Sequence, residues 1–136
     1  MDPFRLAIPP AVLDAVLAHA RAELPNECVG FLAGTIAGGV GTATQCLPLV
    51  NELRSPTEFL TEPRSVFAAY RAMRAAGTDV LAVYHSHPTS APVPSRKDIE
   101  RNTYGPGVAW VIVGLAGAAP EVRTWWLTET GYREAT

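Results

Sequence analysis

The stretch Asp79-Val80-Leu81-Ala82-Val83-Tyr84-His85-Ser86-His87-Pro88 constrains this chain more than any other. It is an apolar, β-branched run closed by two histidines. The proline that follows has no N–H to give a ladder, so the run reads as a strand with both imidazoles at its C-terminal end. Side chains alternate faces along a strand, so positions 85 and 87 project to one side and position 86 to the other. Two imidazoles on one face are costly to bury unless both find partners, and a cation satisfies both at once. A catalytic zinc takes three protein ligands and keeps a fourth position for water, and Asp98 is the nearest carboxylate downstream. The expected set is His85, His87, Asp98 and water.

A plainer reading stands beside this one. Ser95-x-x-Asp98 is a variant of the capping box, so these two residues could do no more than start a short helix, and the histidines could be core residues. Both plain readings must hold together for the metal site to fail. The chemistry would also need a base: a carboxylate that is not a ligand can take a proton from water and pass it to a leaving amine. Spacing alone does not select that carboxylate.

The remaining chain alternates strands and helices. Residues 4–8 read as a short strand. Pro9 and Pro10 then open a helix whose apolar face is Leu13, Val16, Leu17, Ala20 and Leu24, with His19 off that stripe and read as solvated. Pro25-Asn26 ends it. Residues 28–36 and 40–50 read as two strands turned by Gly38-Gly39, with a short third strand at 58–60. Thr61 and Pro63 open a second helix that buries Val66, Phe67, Tyr70 and Met73, keeps Arg64, Arg71 and Arg74 wet, and ends on Gly77. A proline-rich loop at 88–94 leads to a short helix from Ser95 to about Asn102. The last strands are 108–115 and 122–128, where Trp125 and Trp126 face opposite sides, one in the core and one near the surface.

Composition excludes several classes. A chain of 136 residues makes one domain, residues 1–136, with 48% apolar and 18% charged residues, the balance of a folded protein. A net charge of −2 offers no basic patch for nucleic acid or an anionic membrane. The longest apolar run, 108–119, is too short to span a bilayer, and the N-terminus does not read as a signal peptide. Cys28 and Cys46 have neither metal nor redox spacing and read as packing residues with free thiols in the cytoplasm. Nothing in the sequence sets an oligomeric state.

His85-Ser86-His87-Pro88, with Ser95 and Asp98 at their spacings, resembles the signature of the JAMM (MPN+) metalloprotease family. Pro25-Asn26-Glu27-Cys28-Val29-Gly30-Phe31-Leu32-Ala33-Gly34 is similar to that family's upstream element, and Asn51, Ser55-Pro56, Phe59 and Pro63 fall where short prokaryotic members have similar residues. The resemblance implies an α/β, cytidine-deaminase-like MPN fold, a curved and mainly antiparallel sheet flanked by helices. It implies that His85, His87 and Asp98 hold one zinc, that Glu27 activates the water, and that Ser95 helps stabilise the oxyanion. It further implies an isopeptidase or peptidase whose partner is a ubiquitin-like or sulfur-carrier protein cleaved after a Gly-Gly tail, with release of cysteine or another amino acid. One departure is visible: prokaryotic members usually carry Cys immediately before the Gly, where this chain has Val29, and Cys28 one place earlier should face the other way. Two other classes stand as alternatives, although this chain retains every ligand. A two-His, one-carboxylate set also forms the facial triad of non-haem Fe(II) enzymes, and relatives lacking ligands act as metal-free scaffolds.

Overall fold

The computed structural model describes residues 2–135. In chain order the elements are β1 (Arg5–Ala7), α1 (Pro10–Ala22), β2 (Val29–Ala37), β3 (Val40–Leu49), α2 (Pro63–Ala76), β4 (Asp79–His87), α3 (Arg96–Glu100), β5 (Ala109–Gly114), β6 (Glu121–Leu127) and β7 (Tyr132–Glu134). The strands form one sheet in the order β1-β3-β2-β4-β5-β6-β7. All pairs are antiparallel except β1 with β3 and β4 with β5. Register shifts on β2, at Ala33/Gly34 against β3 and Leu32/Ala33 against β4, mark bulges that bend the sheet. This is the α/β, mainly antiparallel sheet expected. Among the described residues no helix is long and apolar enough to cross a membrane.

Alternation sorts the sheet into two cores. Cys28, Leu32, Tyr84, Val111 and Trp126 join Val16 and Ala20 of α1 on one side, and Val29, Phe31, Val83, Trp110 and Trp125 join Ala69 and Met73 of α2 on the other. Both faces are therefore covered, and this corrects the expectation for the tryptophan pair: Trp125 and Trp126 are both buried. The β2–β4 pairing also needs Gly30, where a Cβ would lie 2.3 Å from the Tyr84 ring. Gly38 and Gly39 turn β2 into β3 with φ of 58° and 76°, a region that L side chains disfavour.

Several local expectations change. His19 is not solvated: its side chain is 12% exposed, and Nδ1 lies 2.7 Å from the Tyr84 hydroxyl. Leu24 lies beyond α1 and is exposed. Residues 58–60 are not a strand, since the chain there makes only an isolated bridge between Asn51 and Thr61. Helix α2 opens at Pro63 as expected, with Glu62 rather than Thr61 as its N-cap, accepting the Ser65 N–H at 3.0 Å. Its buried line is Ala69 and Met73 with Val66 half-buried, whereas Phe67 (65% exposed) and Tyr70 (48%) sit one step round the helix at the rim. Gly77 closes α2 in the left-handed conformation, as expected. Strand β7 was not expected: it has three residues, all exposed, so no alternation announces it. Its pairing instead rests on β6, where Glu134 takes two hydrogen bonds from Arg123 at 2.7 and 2.8 Å.

Candidate active site

The end of β4 delivers the two histidines as its alternation requires. His85 and His87 are buried on one face, with their Nε2 atoms 3.1 Å apart. Asp98 Oδ2 lies 3.2 Å from His85 Nε2 and 3.3 Å from His87 Nε2. Three potential ligand atoms thus converge within 4.8 Å of one another. Ligands about 2.0–2.2 Å from a tetrahedral zinc stand roughly 3.3–3.6 Å apart, close to the spacing here. His87 Nδ1 lies 2.8 Å from the Ala91 carbonyl, an acceptor only, so Nδ1 carries a proton, the tautomer that would leave Nε2 free to ligate a metal. Two imidazole nitrogens and a carboxylate oxygen converging on one point form a donor set that fits a divalent cation.

Asp98 reaches the site because α3 is capped. Ser95 Oγ accepts the Asp98 N–H at 3.1 Å, and Asp98 Oδ2 accepts the Ser95 N–H at 2.8 Å, a complete capping box. The plain cap and the ligand geometry are therefore one arrangement, not alternatives. Burial by itself would raise the Asp98 pKa, but His85, together with the hydrogen bonds from His87 and the Ser95 N–H, holds the carboxyl far below its usual range. For His87, burial opposes the charge and the bonds to Asp98 and the Ala91 carbonyl outweigh it, so its pKa rises.

Glu27 sits two residues before the start of β2 and is 4% exposed. Its Oε1 is buried without a hydrogen-bond partner. Burial pushes the carboxyl up to about 8, against the pull of His87 and with the help of Asp98 and Glu58. A carboxyl poised near neutrality beside a cation site suits proton transfer in either direction. Pairing of β2 with β4 brings it there: Val29 is opposite His85, the Cys28 N–H donates to Ser86 Oγ at 2.8 Å, and the Ser86 N–H donates to the Cys28 carbonyl at 3.2 Å. Cys28 itself points into the opposite core, where burial raises its thiol pKa to about 12 and leaves it inert. Cys46 is also a free thiol, 3.4 Å from the Tyr84 hydroxyl, in keeping with packing.

The structure adds walls that sequence reasoning had given no role. The Phe59 ring lies 4.9 Å from the His85 ring, and Trp110 meets it edge-on at 5.8 Å. Both also line an apolar cavity of ≈ 410 Å³ shared with Leu53, Leu60 and Tyr104. No sequence signal pairs these residues, because they come from a loop and from β5, which meet only across the sheet.

A family described as prokaryotic homologs of the JAB domain matches residues 9–128. The chain is 34% identical to a probable TtuB-protein conjugate cleaving protease of Thermus thermophilus, covering 82% of this chain and 72% of that one. It is 34% identical to a desampylase of Haloferax volcanii, covering 86% of each. It is 33% identical to the CysO-cysteine peptidase of Mycobacterium tuberculosis, over 79% of this chain and 72% of that one. Among solved structures, a Desulfitobacterium hafniense protein superposes with a TM-score of 0.86 at 30% identity, covering 96% of this chain and 89% of the other. A JAB1/MPN domain protein from Archaeoglobus fulgidus shares the fold, with a TM-score of 0.62 at 20% identity over 97% and 94% of the two chains.

Proposed function

The chain belongs to the prokaryotic homologs of the JAB domain, and from that membership and its site we propose that it is a zinc-dependent peptidase or isopeptidase acting on protein conjugates. The observation that carries this is the meeting of His85 Nε2, His87 Nε2 and Asp98 Oδ2 beside a buried Glu27 carboxyl with a free oxygen. In this reading His85, His87 and Asp98 hold one zinc per chain. The ion, when bound, polarises the scissile carbonyl and lets a water lose a proton near neutral pH. Glu27, a buried carboxyl that is not a ligand, takes that proton and returns it to the leaving amine. The Ser95 hydroxyl accepts the Asp98 N–H, which leaves its own proton free to donate to the developing oxyanion.

The substrate proposed is a ubiquitin-like or sulfur-carrier protein with a Gly-Gly tail, cleaved at the amide after the second glycine to release cysteine, another amino acid or a lysine-linked protein. Support comes from the relatives, named for cleaving a protein conjugate, for desampylation and for peptidase action on CysO-cysteine. Glycine is also the residue that lets a backbone approach a site this enclosed. We take residues 1–136 as one catalytic domain, and the proposed compartment is the cytoplasm, a reading supported by two free thiols. The test is a panel of carrier-Gly-Gly-amino-acid and isopeptide conjugates read by mass spectrometry, with and without a zinc chelator. Zinc-dependent cleavage after Gly-Gly is expected. Cleavage confined to peptides without the tail, or surviving complete zinc removal, rejects the proposal.

A further inference from the structure

The aim of Glu27 is set by its backbone, because its Oε1 is buried with no hydrogen bond to hold it. Three contacts fix that backbone. The Glu27 N–H donates to the Ser55 carbonyl at 2.8 Å, the Asn51 Nδ2 donates to the Glu27 carbonyl at 3.1 Å, and the next N–H, of Cys28, is taken by Ser86 Oγ. Asn51 stands behind the first two. Its Nδ2 also donates to the Glu58 carbonyl at 3.1 Å, and its Oδ1 accepts the N–H groups of Leu53 and Leu60, each at 3.1 Å. Every hydrogen-bonding position of the amide is therefore used: two donors and two acceptor sites.

An asparagine that merely closed the loop 51–60 would need its acceptors and the bond to Glu58. The bond to Glu27, 24 residues away and on another strand's entry, serves something outside the loop. The same loop carries Phe59 against the His85 ring, and Glu58, which pairs with Lys97 and with Arg101 at 3.2 Å, flanking Asp98 on and after α3. We propose that Asn51 is a positioning residue for hydrolysis: its side-chain amide fixes the backbone that aims Glu27 and, through the loop, ties Glu27 to the helix bearing Asp98. This rests on the reading of Glu27 as the base.

Asn51→Asp tests it with an isosteric change. The carboxylate keeps both acceptor sites, so the loop closes, but it donates to neither carbonyl, and Glu27 loses its anchor. With zinc-loaded full-length protein and a carrier ending Gly-Gly-Cys, kcat is expected to fall about 10²-fold, with KM within about twofold and zinc content unchanged. Asn51→Ala should fall as far. A wild-type kcat for Asn51→Asp means that the amide only closes the loop, and it overturns the inference. In the Glu27→Gln background Asn51→Asp should change the residual rate no further, whereas an undiminished second drop also overturns it. A readout without substrate is the Glu27 carboxyl ¹³C resonance, identified by its absence in Glu27→Gln, which should shift or split in Asn51→Asp. An unmoved resonance overturns the positioning role. Wild-type turnover in Glu27→Gln rejects the base assignment instead, and the resonance still judges the anchor.

Discussion

Asp98 Oδ2 accepts the Ser95 N–H at 2.8 Å while standing 3.2 and 3.3 Å from the Nε2 atoms of His85 and His87. The helix cap thus orients the oxygen that faces both imidazoles. A five-residue helix has little stability of its own, so its start and the site are fixed together.

This joint arrangement makes the metal content separable by substitution. His85→Ala, His87→Ala and Asp98→Ala are each expected to lose zinc, with affinity falling by more than the roughly 10–100-fold typical of groups that only support a ligand. Metal analysis of the purified proteins also identifies the ion, zinc being expected and iron being the other candidate for two histidines and a carboxylate. Equal zinc in all three variants and the wild type ends the metal-site reading.

Binding and proton transfer should part at Glu27. Glu27→Gln removes the base without touching a ligand, so zinc stays while turnover falls by several orders of magnitude. Ser95→Ala should lose about 10²-fold in kcat, the usual size for one oxyanion donor, and the lost cap should lower stability by about 1 kcal/mol. Single-turnover rates and thermal unfolding measure both. An active Glu27→Gln points to another base.

The Tyr84 hydroxyl and His19 give a pH prediction away from the ligands. Burial lowers the His19 pKa below 6.5, with Glu23 pulling partly the other way. The unfolded chain then binds more protons than the folded one as pH falls below about 6.5, so this contribution to stability is present above that pH and is lost on acidification through the folded value. His19→Gln should therefore show a shallower loss of stability between pH 7 and pH 5 than the wild type. The titration of the ligand histidines is common to both proteins and cancels in the difference. Equal slopes in urea unfolding across that range would show that His19 takes up its proton alike in the folded and unfolded chain, against the lowered value.

Sequence alone determined what short-range stereochemistry controls. The alternation of residues 79–87 put His85 and His87 on one face, Ser95 and Asp98 were legible as a cap, and Gly38-Gly39 and Gly77 marked their turn and helix end. The resemblance carried by Glu27 and the His-Ser-His-Pro run reached the family and the fold. Partners across the sheet were another matter. That Val29 lies opposite His85, that Asn51 holds Glu27, and that Phe59 and Trp110 wall the imidazole follow from strand register and the path of a loop, which no local pattern encodes. Burial was likewise decided only by what covers each face. Two cores made both tryptophans interior, the sheet's far side drew His19 onto Tyr84, and a helix that packs along Ala69 and Met73 left Phe67 and Tyr70 at its rim. An amphipathic pattern gives the direction of a face, whereas the extent of its burial depends on the shape of the neighbour it meets.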